Sequence, residues 1–353
     1  MGLTKSKNGV ILYLNSKVKV SWKEGMSRMK SKWVKMQAAV LLGCFLMMGT
    51  GCGAKANQPS GDASDQEIEI AEEAVPKSAV PQTTTYVKVP TNPGVTVYTN
   101  DKAAIDASNS NQGYVSVKYT GGSNVRIKAQ ITKSGGTTYT YDLNNKGNYE
   151  VYPLTEGDGN YTIKVFENTG GSKYAQAFSQ SVTAKLDNDF IPFLYPNQYV
   201  DFNADSKTVK KAAQLASPSG DDLETIANVY NYVINNITYD TKLAQTVQSG
   251  YLPNVDAVLD KGSGICFDYA ALMTAMLRSQ NIPTKLVIGY SGNLYHAWIN
   301  TYVDEVGWVD NIIFFDGTDW KLMDPTFASS GKGDKSVQQY IGDGKNYKSK
   351  YTY

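Results

Sequence analysis

The stretch Gly262-Ser263-Gly264-Ile265-Cys266-Phe267-Asp268-Tyr269-Ala270-Ala271-Leu272 decides how the rest of the chain is read. A glycine-rich turn runs into one cysteine, and a run of helix-favouring apolar residues follows, including Met273, Ala275, Met276 and Leu277. A helix apolar on every side is buried, which leaves its first residue at an exposed mouth. There the unpaired N–H groups of the first turn stabilise a thiolate, and the N–H of Cys266 would lie near a developing oxyanion. Taken alone, the same pattern also describes an inert cysteine in a core helix.

The chain has a single histidine, thirty residues further on, in Tyr295-His296-Ala297-Trp298. The sequence Ile282 to Tyr290 reads as a turn and a buried strand. Ser291-Gly292-Asn293 is a second turn, so His296 falls on the second strand of a hairpin. A third strand is expected at Gly307 to Val309. Asp319 to Met323 reads as a strand that ends at Asp324-Pro325, because proline cannot extend a ladder. Asp324, 28 residues after His296, would then stand at a strand end within reach of the imidazole N–H. A satisfied core histidine and a turn-forming aspartate are the ordinary readings of these two residues. Cysteine, histidine and aspartate together are the parts of a thiol nucleophile, its base and an orienting acid.

Upstream, helical periodicity starts near Lys207. In Asp221 to Val233 it places Leu223, Ile226, Val229, Tyr230 and Val233 on one face, with acidic residues in the first turn. Ile237-Thr238-Tyr239-Asp240 follows, then a loop to Pro253 and a short helical turn from Val255 to Asp260. The motifs Gly264 to Ala270, His296 to Trp298 and Trp320 to Thr326 stand in the order found in the transglutaminase-like superfamily, which the chain resembles over about residues 200 to 330. The resemblance implies an α+β, papain-like core: N-terminal helices, the cysteine at a helix start, and an antiparallel sheet carrying His and Asp. It implies Cys266 as nucleophile, His296 as base and acid, and Asp324 as orienter. A side-chain oxyanion donor is implied upstream of the cysteine, with Tyr230 and Tyr239 both open; Asp268 and Tyr269 would brace the helix start. The implied chemistry is a thioester formed on a protein, peptide or peptidoglycan-peptide amide. Water (a peptidase or amidase) or an amine (a cross-linking transglutaminase) would release it. The alternative is a non-catalytic cell-surface binding or adhesion protein on a papain-like scaffold.

The length of 353 residues fits two domains with extensions, and a net charge of +1 argues against nucleic acid as a partner. One histidine and three cysteines make a zinc site improbable, and no EF-hand loop is present, so neither metal nor cofactor is expected. Arg28, Lys30, Lys32 and Lys35 precede an apolar run from Met36 to Thr50 that ends in Gly51-Cys52-Gly53. This order resembles a lipoprotein signal with Cys52 as the lipidated residue; Leu41-Leu42-Gly43-Cys44 fits the local pattern but leaves a short apolar segment. Residues 1–52 are therefore read as an N-terminal extension and leader. The protein is expected to be extracytoplasmic and anchored to the cell membrane by lipid. Residues 53–84, polar with an acidic cluster, form a disordered tether. Residues 85–187 show period-two runs and turn signals about ten residues apart, the pattern of an all-β, immunoglobulin-like sandwich whose expected role is a spacer, with binding of wall polymer or a partner through exposed tyrosines as the sharper alternative. Residues 188–353 form the catalytic domain; its basic, tyrosine-rich end either closes over the core or stays mobile, and of the mobile readings a solubilising tail is favoured over one that meets anionic wall polymer.

Overall fold

Alternating β-branched and aromatic residues, broken by glycine turns, build eight strands in the first half of the described chain. The structure, a computed structural model, describes residues 86–303, 307–309, 313–315, 320–322 and 347–353. The segments read as leader and tether, and Asp324, lie outside the described residues. The strands are β1 (Val97–Thr99), β2 (Ala103–Asp106), β3 (Tyr114–Tyr119), β4 (Ile127–Lys133), β5 (Thr138–Leu143), β6 (Glu150–Pro153), β7 (Gly159–Gly170) and β8 (Lys173–Ala184). They form two antiparallel four-stranded sheets, ordered β1-β2-β3-β6 and β5-β4-β7-β8. Ile105, Val115 and Val117 of the first sheet and Ala129, Ile131, Ile163 and Val165 of the second are buried.

Tyrosines take the place that larger aliphatics often hold, and a buried phenol needs a partner. Tyr161 Oη donates to the Gly157 carbonyl at 2.7 Å, and Tyr152 Oη to the Asp142 carbonyl at 2.9 Å. Two contacts tie the sheets together. The Tyr141 and Tyr152 rings lie 4.8 Å apart, and Tyr119 of β3 donates to Glu167 of β7, which also pairs with Lys102.

A connector with buried Phe193, Leu194, Val200 and Phe202 leads to α1 (Lys207–Ala216) and α2 (Asp222–Asn236). The N-terminus of α1 is capped from a distance: Asp256 accepts from the N–H groups of Lys207 and Thr208 at 3.0 and 2.8 Å. Asp221 caps α2 through the Glu224 N–H at 2.8 Å. Ile226, Val229, Tyr230 and Val233 are buried as expected, but Leu223, in the first turn, is 40% exposed. A short strand β9 (Thr238–Tyr239) precedes α3 (Thr241–Thr246), a helix within the segment read as loop and capped by Asp240. Next come α4 (Val255–Lys261), β10 (Ser263–Gly264) and α5 (Cys266–Arg278).

Helix α5 is the centre of this half. Leu272, Met273, Ala275, Met276 and Leu277 are fully buried, and the helix packs on α1, α2, α4 and a sheet. That sheet holds β11 (Thr284–Ser291), β12 (Leu294–Val303) and β13 (Gly307–Val309). Strands β14 (Ile313–Phe315) and β15 (Trp320–Leu322) pair separately. The last strand, β16 (Tyr347–Thr352), adds to the free side of β11, giving the order β13-β12-β11-β16. The end read as a solubilising tail is therefore a strand of the core sheet, and Tyr353 is only 4% exposed. Its alternation of Tyr347, Ser349, Tyr351 and Tyr353 with Lys348 and Lys350 is the period-two signal of a half-buried strand. Arg278, fully buried at the end of α5, donates to the carbonyls of Tyr195, Thr284 and Tyr353 at 2.6, 2.9 and 2.7 Å. Burial pushes its pKa down to about 9, so it enters the fold charged at neutral pH. Residues Pro81–Tyr353 form one compact unit.

Candidate active site

The approach to Cys266 is set by glycines and one carboxylate. Gly262 ends α4 in the left-handed region, at φ 64°. Ser263 and Gly264 then pair in parallel with Thr238 and Tyr239. A Cβ on Gly264 would stand 2.6 Å from the Asp268 Cβ, so the glycine makes room for the aspartate. Asp268 is fully buried and turns back to the helix start, where Oδ2 accepts from the Ile265 N–H at 2.8 Å. Its Oδ1 accepts from Tyr251 Oη at 2.7 Å. Burial raises the Asp268 carboxyl pKa, and the Ile265 N–H and Tyr251 oppose that rise. Burial, with Asp268 close by, raises the Tyr251 phenol well above its ordinary value. Tyr269 donates to the Ile237 carbonyl at 2.7 Å and ties the helix to the β9 segment. Asp268 and Tyr269 thus hold the helix start, which leaves Cys266 partly exposed as its first residue.

The β11–β12 hairpin delivers the histidine. His296 is 3% exposed and sits directly opposite Gly289 in the register. The rings of Trp298 and Tyr347 lie 6.3 and 6.4 Å from the imidazole, and 5.1 Å from each other. A Cβ on Gly289 would stand 2.0 Å from the Lys348 carbonyl oxygen and 2.9 Å from the Trp298 ring, so glycine is needed beside this strand.

Cys266 and His296 line one cleft of about 610 Å³. Tyr239 lines it as well, whereas Tyr230 is fully buried in α2 and is not among the lining residues. Cys266, His296 and Tyr239 thus share one cleft, and Tyr230 stays in the core. Among the described residues, no group of three or more His, Cys, Asp or Glu is placed to hold a metal.

Residues 209–311 match the model of the transglutaminase-like superfamily. That region is similar to the transglutaminase-like core. Its fold is the papain-like mixture of helices and strands, with the cysteine on a helix and the histidine on the facing sheet. Solved structures similar to the chain include a proposed cysteine protease from Cytophaga hutchinsonii, with 18% identity and TM-score 0.31 over 58% of this chain and 67% of that one. A proposed protease from Parabacteroides distasonis has 14% identity and TM-score 0.26, over 59% and 63%. Red sea bream transglutaminase has 12% identity and TM-score 0.24, over 60% and 48%. The chain thus spans less than two thirds of the last two. No curated protein matches the chain.

Much of the cleft around Cys266 and His296 is built by residues outside their motifs. Tyr251, Tyr295, Tyr351 and Tyr353 line it, as do Lys128, Thr140, Asp142 and Tyr199 from the β-rich half and the connector. The β-rich half supplies part of one wall of the cleft. The 25 tyrosines in the composition were the available signal, but nothing in one strand's sequence says which wall it will join.

Proposed function

We propose that the protein is a surface-anchored thiol acyl-transfer enzyme acting on protein or peptide amides, peptidoglycan peptides among them. The observation that carries this reading is the shared cleft, into which a buried helix presents Cys266 at its first turn and a sheet presents His296. In the reaction, His296 takes the thiol proton of Cys266, and the sulfur attacks the carbonyl carbon of the amide. The tetrahedral oxyanion accepts hydrogen bonds from the Cys266 N–H, which has no acceptor within its own helix, and from Tyr239 Oη. Tyr239 is the better donor of the two tyrosines because it lines the cleft. The imidazolium then protonates the leaving amine, the C–N bond breaks, and a thioester on Cys266 remains. Water, or an amine deprotonated by His296, attacks the thioester and frees the thiol. Asp324, in the Trp320 to Thr326 motif, is assigned to orient the imidazole.

The finer architecture belongs to the same proposal. The two antiparallel sheets of the first half are an immunoglobulin-like sandwich, and a tether carries the whole from a lipid on Cys52. Metabolic labelling with an alkyne fatty acid tests the anchor, with the Cys52→Ala protein expected to stay unlabelled. Incubation with a glutamine peptide, with and without a labelled primary amine, tests the chemistry. The expected result is deamidated, cleaved or amine-linked product that is lost in Cys266→Ala. Product formation undiminished in that variant would rule the reading out.

A further inference from the structure

One wall of the cleft has no part in the acyl-transfer steps. Lys128 of β4 and Asp142 of β5 are directly opposite each other in the ladder, on the outer face of the second sheet, and both line the cleft with Cys266. Lys128 Nζ lies 2.5 Å from Asp142 Oδ1, and the two side chains are 28% and 45% exposed. The carboxylate is thus the more open member of the pair. Its Oδ2 takes no hydrogen bond from any described residue. That oxygen also marks where the second half meets the wall, since a Cβ on Gly250 would lie 3.6 Å from it. Lys128 and Asp142 are the only Lys, Arg, Asp or Glu among the described residues lining the cleft. A carboxylate held in place by a neighbouring cation, with one oxygen turned to an aromatic-lined cleft, offers an acceptor to a positively charged donor.

We propose that Asp142, positioned by Lys128, is a specificity-determining residue that selects substrates bearing a protonated amine or guanidinium close to the attacked amide. The assignment rests on the acyl-transfer reading above and adds the β-rich half to the substrate site. The effect expected of one charge-assisted hydrogen bond is about tenfold in relative kcat/KM.

The test uses the full chain and two glutamine peptides that differ only in one residue beside the glutamine, lysine or methionine. The wild-type protein should prefer the lysine peptide. Asp142→Asn should lower the lysine-to-methionine ratio of kcat/KM about tenfold, mainly through KM. Lys128→Met should raise the ratio, because it leaves the carboxylate unpaired. Ratios that stay put in both variants, or move the same way in both, overturn the proposal. So does an Asp142→Asn protein whose Cys266 alkylation by iodoacetamide slows in step with turnover, since the residue would then be structural. If the wild-type protein turns over neither peptide, the acyl-transfer reading fails, and binding of both peptides to Cys266→Ala decides the subsite. Tighter binding of the lysine peptide that disappears on adding Asp142→Asn upholds it; equal binding ends it.

Discussion

Gly264 and Asp268 show what the motif around the cysteine is for. The glycine is needed for space: Asp268 occupies the volume that a side chain at 264 would fill, and from there it accepts from the Ile265 N–H. The carboxylate thus satisfies a donor at the helix start that is buried and would otherwise be orphaned. Alanine at 264 would force Asp268 or the strand to shift. Gly264→Ala is expected to destabilise the fold by about 1–3 kcal/mol, the usual cost of overpacking, and to slow any Cys266 chemistry. Chemical denaturation with iodoacetamide kinetics on the same samples checks both effects; a variant with wild-type stability and reactivity would contradict this role. Cys266 and His296 were legible at this scale because each sits in a short motif whose spacing is set locally. That Tyr239 lines the cleft and Tyr230 does not was not legible in the sequence, because it depends on how the β9 segment pairs with β10.

At the scale of elements, the hairpin carrying His296 and helix α5 were readable from periodicity and turn residues alone. Strand β16 was not, because its lysines read as a solvated tail, and its partner β11 lies more than fifty residues earlier in the chain. Long-range pairing of this kind leaves little trace in the strand itself beyond its alternation. The sheets of the β-rich half hold a second such long-range link. Glu167 on β7 receives Lys102 from the loop before β2 and Tyr119 from β3, and these two partners, Lys102 first, lower its pKa. A carboxylate whose folded pKa is lowered adds stability above its unfolded value, about 4.3, and that stability is lost as the pH falls through the folded value. Glu167→Gln should therefore melt below wild type at pH 7, by about 1 kcal/mol after solvent screening, and the gap should narrow at a pH below the unfolded value of about 4.3. Thermal melts at the two pH values measure it; a gap that persists at low pH would mean that packing, not charge, carries the contact.

At the scale of the molecule, the two halves meet through tyrosines that reach the nucleophile's neighbour. Tyr199 of the connector lies 5.6 Å from Tyr141 of the β-rich half, 4.5 Å from Tyr353 and 5.5 Å from Phe267, the residue after Cys266. Burial raises the Tyr199 phenol to about 12, so it stays neutral across the working range. Removing its ring leaves a cavity among three segments distant in sequence. Tyr199→Ala is expected to cost about 3 kcal/mol and to lower the melting temperature of the whole 81–353 unit in a single transition. A calorimetric trace with the β-rich half melting separately and unchanged would show that the halves are not coupled through this cluster. Such coupling could not be read from the sequence, where the tyrosines are spread over more than 200 positions.

The central claim is that Cys266 is an activated nucleophile served by His296, and the rate at which iodoacetamide alkylates the folded protein near neutral pH tests it most directly. Modification of Cys266 is expected well above the rate of a free thiol, reduced at least tenfold in His296→Ala while the fold is retained. Alkylation no faster than a free thiol, or equally fast without the imidazole, would contradict it and leave a papain-like scaffold that only binds.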